Sequence, residues 1–336
     1  MNKTWLLFLI PLFLFSSCFK EDERIKPYDR GNVITDTIGM TQTYKYQVYY
    51  SLDDSTVVSQ NNKGIFDLVF DNASDKAGVY PNTANFAKVA RTGQYDLSAV
   101  SSIAGLSFGF DASSGNTDSL AFGNWFVVEN TDTLWSNEVF VVDLGYDDVG
   151  NVLGYRKVVI DSLVGGRYHF RYALLNNTQT WTGTAAKTGS SNYIYFSFST
   201  HEQVFPEPPR EDYDLLFTQY TTLLYTNEGE PYPYIVTGVL LNRFQTQCYL
   251  DTSLVFQEIN SESVRDQIFT PRPDIIGYDW KEVKGDVNTG NVYYEVKFGN
   301  SYFIKDQKGF YYKLRFAGFY NRSGEKGFPV IEFQKL

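Results

Sequence analysis

Across 336 residues the chain has two histidines, two cysteines and two methionines. Most metal sites need three or four nitrogen or sulfur ligands, and most nucleophile-base pairs need a histidine, so both kinds of chemistry are poorly supplied. Positive charge is also short: 29 Lys and Arg against 39 Asp and Glu give a net charge of −10, and no basic cluster stands out. Such a surface repels phosphate backbones, which excludes nucleic acid as a partner. Gly-rich phosphate loops, G-x-S-x-G elbows and H-E-x-x-H pairs do not occur. The acid pairs Asp53-Asp54 and Asp147-Asp148 are contiguous, so on strands they point to opposite faces and cannot flank one bond. Asp286 to Gly290 and Asp143 to Asp148 lack the terminal acid of a calcium loop and read as turns. No catalytic residue and no metal ligand set is expected, and the chain reads as a non-enzyme. Helical periodicity is rare too, with short helices expected only over Ser98 to Ile103 and Ser261 to Phe269, the second halted by Pro271.

What is abundant is apolar and aromatic, 43% and 17% of the residues, enough to build a substantial core. The first apolar run, Trp5 to Phe15 after Lys3, is followed by Ser16-Ser17-Cys18. This has the regions of a secretory signal, is too short to span a bilayer, and resembles a bacterial lipobox. The expectation is a signal over 1–17, lipidation of Cys18 by acyl chains such as palmitate, and a tether over 18–42. The acidic stretch after Cys18 resembles the surface-export signal of Bacteroidetes lipoproteins, which implies an outer-membrane, lipid-anchored, surface-exposed protein. With Cys18 acylated, Cys248 has no partner for a disulfide. Alternation in Phe244 to Leu250 turns its thiol toward a core.

The body reads as an all-β, mostly antiparallel protein with very short helices: aromatic and β-branched runs separated by Gly, Asn and Asp. Hairpin turns are written at Asp147 to Asn151, Lys305 to Gly309 and Asn321 to Gly324. The sequence also repeats. Phe66-Asp67-Leu68-Val69-Phe70 matches Tyr213-Asp214-Leu215-Leu216-Phe217, and Tyr50-Ser51-Leu52 matches Phe196-Ser197-Phe198. Phe122-Gly123-Asn124-Trp125 corresponds to Ile276 through Trp280, and the strand pair Val139 to Ile160 to the pair Tyr302 to Phe316. These anchors predict two tandem copies of one domain, over 43–175 and 193–336, joined by a polar linker over 176–192.

The second copy resembles the HmuY-like family of Bacteroidetes surface lipoproteins, and the first copy does so more weakly. The resemblance rests on Tyr195-Phe196-Ser197-Phe198, Tyr213 to Phe217, Gly277-Tyr278-Asp279-Trp280-Lys281 and the closing hairpin from Tyr302 to Phe316. It implies capture of haem, or of another hydrophobic ligand, for uptake, with an outer-membrane receptor as partner. Haem-binding members hold iron between two axial side chains, typically histidines, on strands or hairpins of the second half of the domain. The corresponding hairpin here, Lys284 to Phe298, has no His, Met or Cys.

The haem candidates are therefore the two histidines present. His201 lies in the polar stretch Ser199 to Gln203, and His169 lies between Arg167 and Arg171, on the strand face opposite Tyr168, Phe170 and Tyr172. By the division at 176–192 they fall in different domains. Tyr232 and Tyr234, which alternate with Pro231 and Pro233 and lie near Pro206-Glu207-Pro208-Pro209 in sequence, read as exposed loop aromatics suited to stacking on a flat ligand. They support the alternative function, an accessory lipoprotein that binds a glycan, peptide or partner protein without haem.

Overall fold

The computed structural model describes residues 31–286 and 291–336. The lipidation site Cys18 and most of the tether lie outside them. The all-β expectation holds. In chain order the strands of the first part are β1 (Ile34–Thr37), β2 (Tyr46–Ser51), β3 (Thr56–Asn62), β4 (Leu68–Asp71), β5 (Val79–Pro81) and β6 (Lys88–Arg91). Then come β7 (Phe126–Glu129), β8 (Asp132–Trp135), β9 (Val139–Asp143), β10 (Tyr155–Val164), β11 (Arg167–Leu174) and β12 (Thr180–Ala186). The rest are β13 (Tyr193–Ser197), β14 (Glu202–Val204), β15 (Leu215–Tyr225), β16 (Pro231–Leu241) and β17 (Gln247–Asp251). Last are β18 (Lys281–Asp286), β19 (Asn291–Val296), β20 (Ser301–Lys305), β21 (Tyr311–Tyr320) and β22 (Lys326–Lys335). The helix expected at Ser98 to Ile103 is a three-residue 3₁₀ turn at Leu97–Ala99. Residues 261–266 form a chain of turns instead of a helix, closed by Ser263 N to Asn260 O and Arg265 N to Glu262 O contacts that never become an i→i+4 ladder.

Each repeated motif has an equivalent place. One five-stranded sheet runs β12-β11-β10-β9-β6 and the other β1-β22-β21-β20-β17; one four-stranded sheet runs β14-β13-β4-β5 and the other β3-β2-β15-β16, here written from the opposite edge. The two small ribbons, β7-β8 and β18-β19, are equivalents as well. The repeat read from the sequence is thus a repeat of structure.

The domain boundaries are not where the repeat placed them. β13 pairs with β4, β2 pairs with β15 and β1 pairs with β22, so strands on either side of 176–192 share sheets. The molecule consists of an inner body, β4 to β14, and an outer body built from both ends of the chain, β1 to β3 with β15 to β22. The inner core gathers Leu68, Phe70, Trp125, Phe140, Tyr168, Phe170 and Phe196. The outer core gathers Tyr50, Phe217, Trp280, Tyr302, Leu314, Phe316 and Phe333. The supposed linker contains β12, hydrogen-bonded along β11, and the supposed tether contains β1 and the fully buried Ile38 and Met40. The real crossings between bodies are the segments 63–67 and 205–214. A polar, turn-rich stretch resembles a linker in composition, but alternate positions of 180–186 still bury Gly183 and Ala185 against the inner sheet.

Twin contacts hold the twin corners. Asn82 Nδ2 donates to the carbonyls of Lys63 and Phe66 at 2.8 and 2.9 Å, and Asn242 Nδ2 does the same to Arg210 and Tyr213 at 2.7 and 2.6 Å. Lys157 Nζ, buried, donates to the carbonyls of Leu97 and Val100, and Lys313 Nζ to those of Phe256 and Ile259. Cys248 is fully buried in the outer core, and burial pushes its thiol well above the ordinary cysteine range.

Candidate functional site

His201 sits in the turn between β13 and β14 with a left-handed backbone, φ 61°, and is exposed. Its Nδ1 lies 2.7 Å from the hydroxyl of Tyr172 on β11, and its ring stacks on Trp181 of β12 at 4.8 Å between centroids. Burial pushes the Tyr172 phenol up to about 12, so at neutral pH it stays protonated and available as the donor of that contact. His169 is half-buried on β11 opposite Ser162 and Thr184, and the alternating burial of β11 places it on the face turned away from Tyr168, Phe170 and Tyr172. The two histidines belong to one body, not to two, yet they stand on opposite sides of the β11 sheet. The structure does not bring them together as an axial pair.

Tyr232 and Tyr234 are exposed as expected, but they lie on strand β16, paired with Leu224 and Thr222 of β15, not in a loop. Their rings meet at 82°, so only one of them can lie flat against a given planar ligand. The neighbouring proline segment is also not an exposed loop. Glu207 is buried, and its carboxylate accepts the hydroxyls of Tyr195 and Tyr213, the Asn192 and Tyr193 backbone N–H groups and the Asn192 side chain. Burial raises its carboxyl above the usual range against the pull of these donors. Tyr195 belongs to the inner body and Tyr213 lies at the end of the crossing that leads into β15, so this buried acid ties the crossing to the inner body.

Beside that junction, where the two four-stranded sheets meet, is a cavity of about 160 Å³. Phe66, Val69, Tyr80, Tyr193 and Tyr195 wall it from the inner body, and Leu216, Tyr220, Leu240 and Pro273 from the outer one. A connection from the inner body, residues 111–116, lies over it, fastened by the Ser113 hydroxyl, which donates to Asp274 Oδ2 at 2.6 Å and lies 3.0 Å from Thr222 Oγ1. Two charged side chains line it. Asp111 is 5% exposed; its Oδ1 accepts the Ala121 N–H at 2.6 Å and its Oδ2 has no hydrogen-bond partner. Burial pushes the Asp111 carboxyl up to about 6, opposed by the Ala121 N–H and by the charge of Arg243. Arg243, exposed, stands with its guanidinium carbon 5.4 Å from the Tyr193 ring centroid and makes no ion pair among the described residues. Gly115, φ +77°, lets the overlying segment pass close to it: a Cβ there would sit 2.6 Å from Arg243 Nη2.

Neither Asp111 nor Arg243 stands out in the sequence, because no spacing rule links residue 111 to residue 243 and only the meeting of the two sheets does. Glu207 carried a weak signal, an acid held in a rigid run of prolines, which fits a fixed internal acceptor as well as a surface loop. No cluster of three His, Cys, Asp or Glu side chains arranged to hold a metal occurs among the described residues.

No family model matches the sequence, and no curated protein matches it. Among solved structures the chain is similar to apo PinO from Porphyromonas gingivitis, with a TM-score of 0.31 and 8% identity, covering 91% of this chain and 99% of that one. It is also similar to the apo HmuY analog TFO of Tannerella forsythia, with a TM-score of 0.26 and 9% identity, covering 92% of this chain and 98% of that one.

Proposed function

We propose that this chain is a lipid-anchored surface binding protein that holds a small molecule in the cavity between its two bodies. The observation that carries this reading is the cavity itself: tyrosine-walled, formed by both bodies, and lined by a buried carboxylate with an unpartnered oxygen. An isolated buried acceptor of this kind costs on the order of 1–3 kcal/mol, which a ligand donor would recover. Ordinary ligand pockets measure about 300–1,000 Å³, so a cavity of about 160 Å³ favours a small ligand. Anchoring rests on Ser16-Ser17-Cys18, and replacing Cys18 by Ser should move the protein from the membrane fraction to the soluble one. The ligand reading is tested by saturation-transfer NMR with a mixture of small neutral, cationic, anionic and zwitterionic compounds. Signals seen with the native chain should vanish in Leu216→Trp, which fills the cavity; signals that persist in that folded variant would overturn the reading.

His201 supports a second reading, haem held at the surface. Tyr172 holds Nδ1 and Trp181 stacks on the ring, so the ring is fixed through one nitrogen and Nε2 is the nitrogen that would serve as an axial ligand. His169 takes no part, being on the other face of β11. Titration with haemin should then sharpen the Soret band in the native chain and in His169→Ala but not in His201→Ala. Identical spectra for all three would remove this reading.

A further inference from the structure

From the two charged groups that line the cavity we infer that its ligand is a small zwitterion carrying both an ammonium and a carboxylate, an apolar α-amino acid. This inference rests on the cavity being the binding site. Asp111 and Arg243 both line it, yet they form no ion pair with one another among the described residues, and Asp111 Oδ2 has no hydrogen-bond partner. A cation alone would satisfy Asp111 and bring its charge beside Arg243; an anion alone would do the reverse. A molecule with both charges gives each side chain a counter-ion without leaving a like charge against the other. The guanidinium offers a planar fork suited to a carboxylate, and the carboxylate of Asp111 suits an ammonium.

The volume agrees. A cavity of about 160 Å³ suits one small molecule such as an amino acid better than a peptide of several residues. The remaining wall sets the side-chain preference. Phe66, Val69, Tyr80 and Tyr195 form a small apolar cluster, with Leu120 and Tyr193 packed on it, which suits an aliphatic or aromatic side chain better than a charged one. The 111–116 segment is fastened by Ser113 to Asp274 and Thr222, which joins the inner body to the outer one.

The test is calorimetric titration of the detergent-solubilised full chain with L-leucine and L-phenylalanine, each compared with its N-acetyl form, which lacks the ammonium, and its amide, which lacks the carboxylate. The free amino acids should bind at least about tenfold more tightly than either derivative, the loss expected when a charged hydrogen bond is removed. Asp111→Asn keeps an acceptor for the Ala121 N–H and should erase the preference over the N-acetyl form alone. Arg243→Gln should erase the preference over the amide alone. Equal affinity for free and blocked forms, with binding still lost in Leu216→Trp, overturns the zwitterion and leaves the cavity reading standing. If no compound of any charge binds in a manner that Leu216→Trp abolishes, both fall.

Discussion

The Oδ2 oxygen of Asp214 accepts a hydrogen bond from the backbone N–H of Leu52 at 2.8 Å, joining positions 162 residues apart. Its twin is Asp67, whose Oδ2 accepts the N–H of Phe198 at 2.7 Å. Each aspartate also donates its own backbone N–H to the strand it caps, Asp214 to Tyr50 O and Asp67 to Phe196 O, both at 2.9 Å. The shared Asp-Leu pair of the repeated motif, Asp67-Leu68 and Asp214-Leu215, is therefore a joint: it sets the register between a strand of the motif and the end of a strand from the other copy.

Burial pushes the Asp214 carboxyl up to about 7, despite the Leu52 N–H that favours its charge. An unfolded aspartate titrates near 4, so between about pH 4 and about pH 7 the folded chain holds the extra proton and stability falls as pH rises. Asp111 contributes with the same sign over a narrower window, up to about 6. Asp214→Asn retains an acceptor and loses the titration. Urea midpoints measured at about pH 5 and about pH 7.5 should fall less in the variant than in the native chain, by on the order of 1 kcal/mol or more. Equal falls would show that Asp214 is not the group responsible.

Lys281 works in the opposite direction. It is 7% exposed, donates to the Thr237 carbonyl at 2.6 Å, and lies 4.3 Å from the Trp280 ring and 4.8 Å from that of Phe319. Burial pulls its ammonium down to about 7, with Asp279 pulling the other way. An unfolded lysine titrates near 10.4, so from about pH 7 to about pH 10 the unfolded chain binds the additional proton and this group makes stability rise with pH. Thermal melts at about pH 7 and about pH 9.5 should show that rise in the native chain and its loss in Lys281→Met.

Lys157 and Lys313 each tie a connecting segment to the outer face of a five-stranded sheet through two carbonyls, at 2.7 and 2.8 Å for Lys157 and 2.9 and 3.0 Å for Lys313. Replacing either by Met leaves those acceptors without an ammonium donor and should cost about 2–3 kcal/mol in urea denaturation. Because the two lie in different bodies, the double variant should lose close to the sum. A cost well under 1 kcal/mol at either position would show that the carbonyls find water instead.

Much of the fold was legible because strands announce themselves locally. Alternation in Gln247 to Leu250 turned Cys248 inward, and Gly150, Gly309 and Gly324, all at positive φ, close the turns predicted at those places. The repeat was legible for the same reason, since Asp67 and Asp214 do the same work in the same local sequence. Pairing was not. Nothing within Tyr46 to Ser51 says whether it will lie beside β4 of its own copy or β15 of the next, because the two partners present nearly the same edge. The histidines were wrongly grouped for that reason, and the cavity was missed because Asp111 and Arg243 come from connections whose conformation depends on the sheets beneath them.

The pairing of β1 with β22 gives the molecule an order of completion. The inner body is continuous in sequence and has all its strands once Val204 has emerged, whereas the outer body cannot close until its final strand reaches Lys335. At about 5–20 residues per second this leaves an interval of several seconds or more in which β1 waits without its partner strand. β1 and β22 are clasped side by side although they lie at opposite ends of the described chain, so loss of β22 would leave β1 without a sheet.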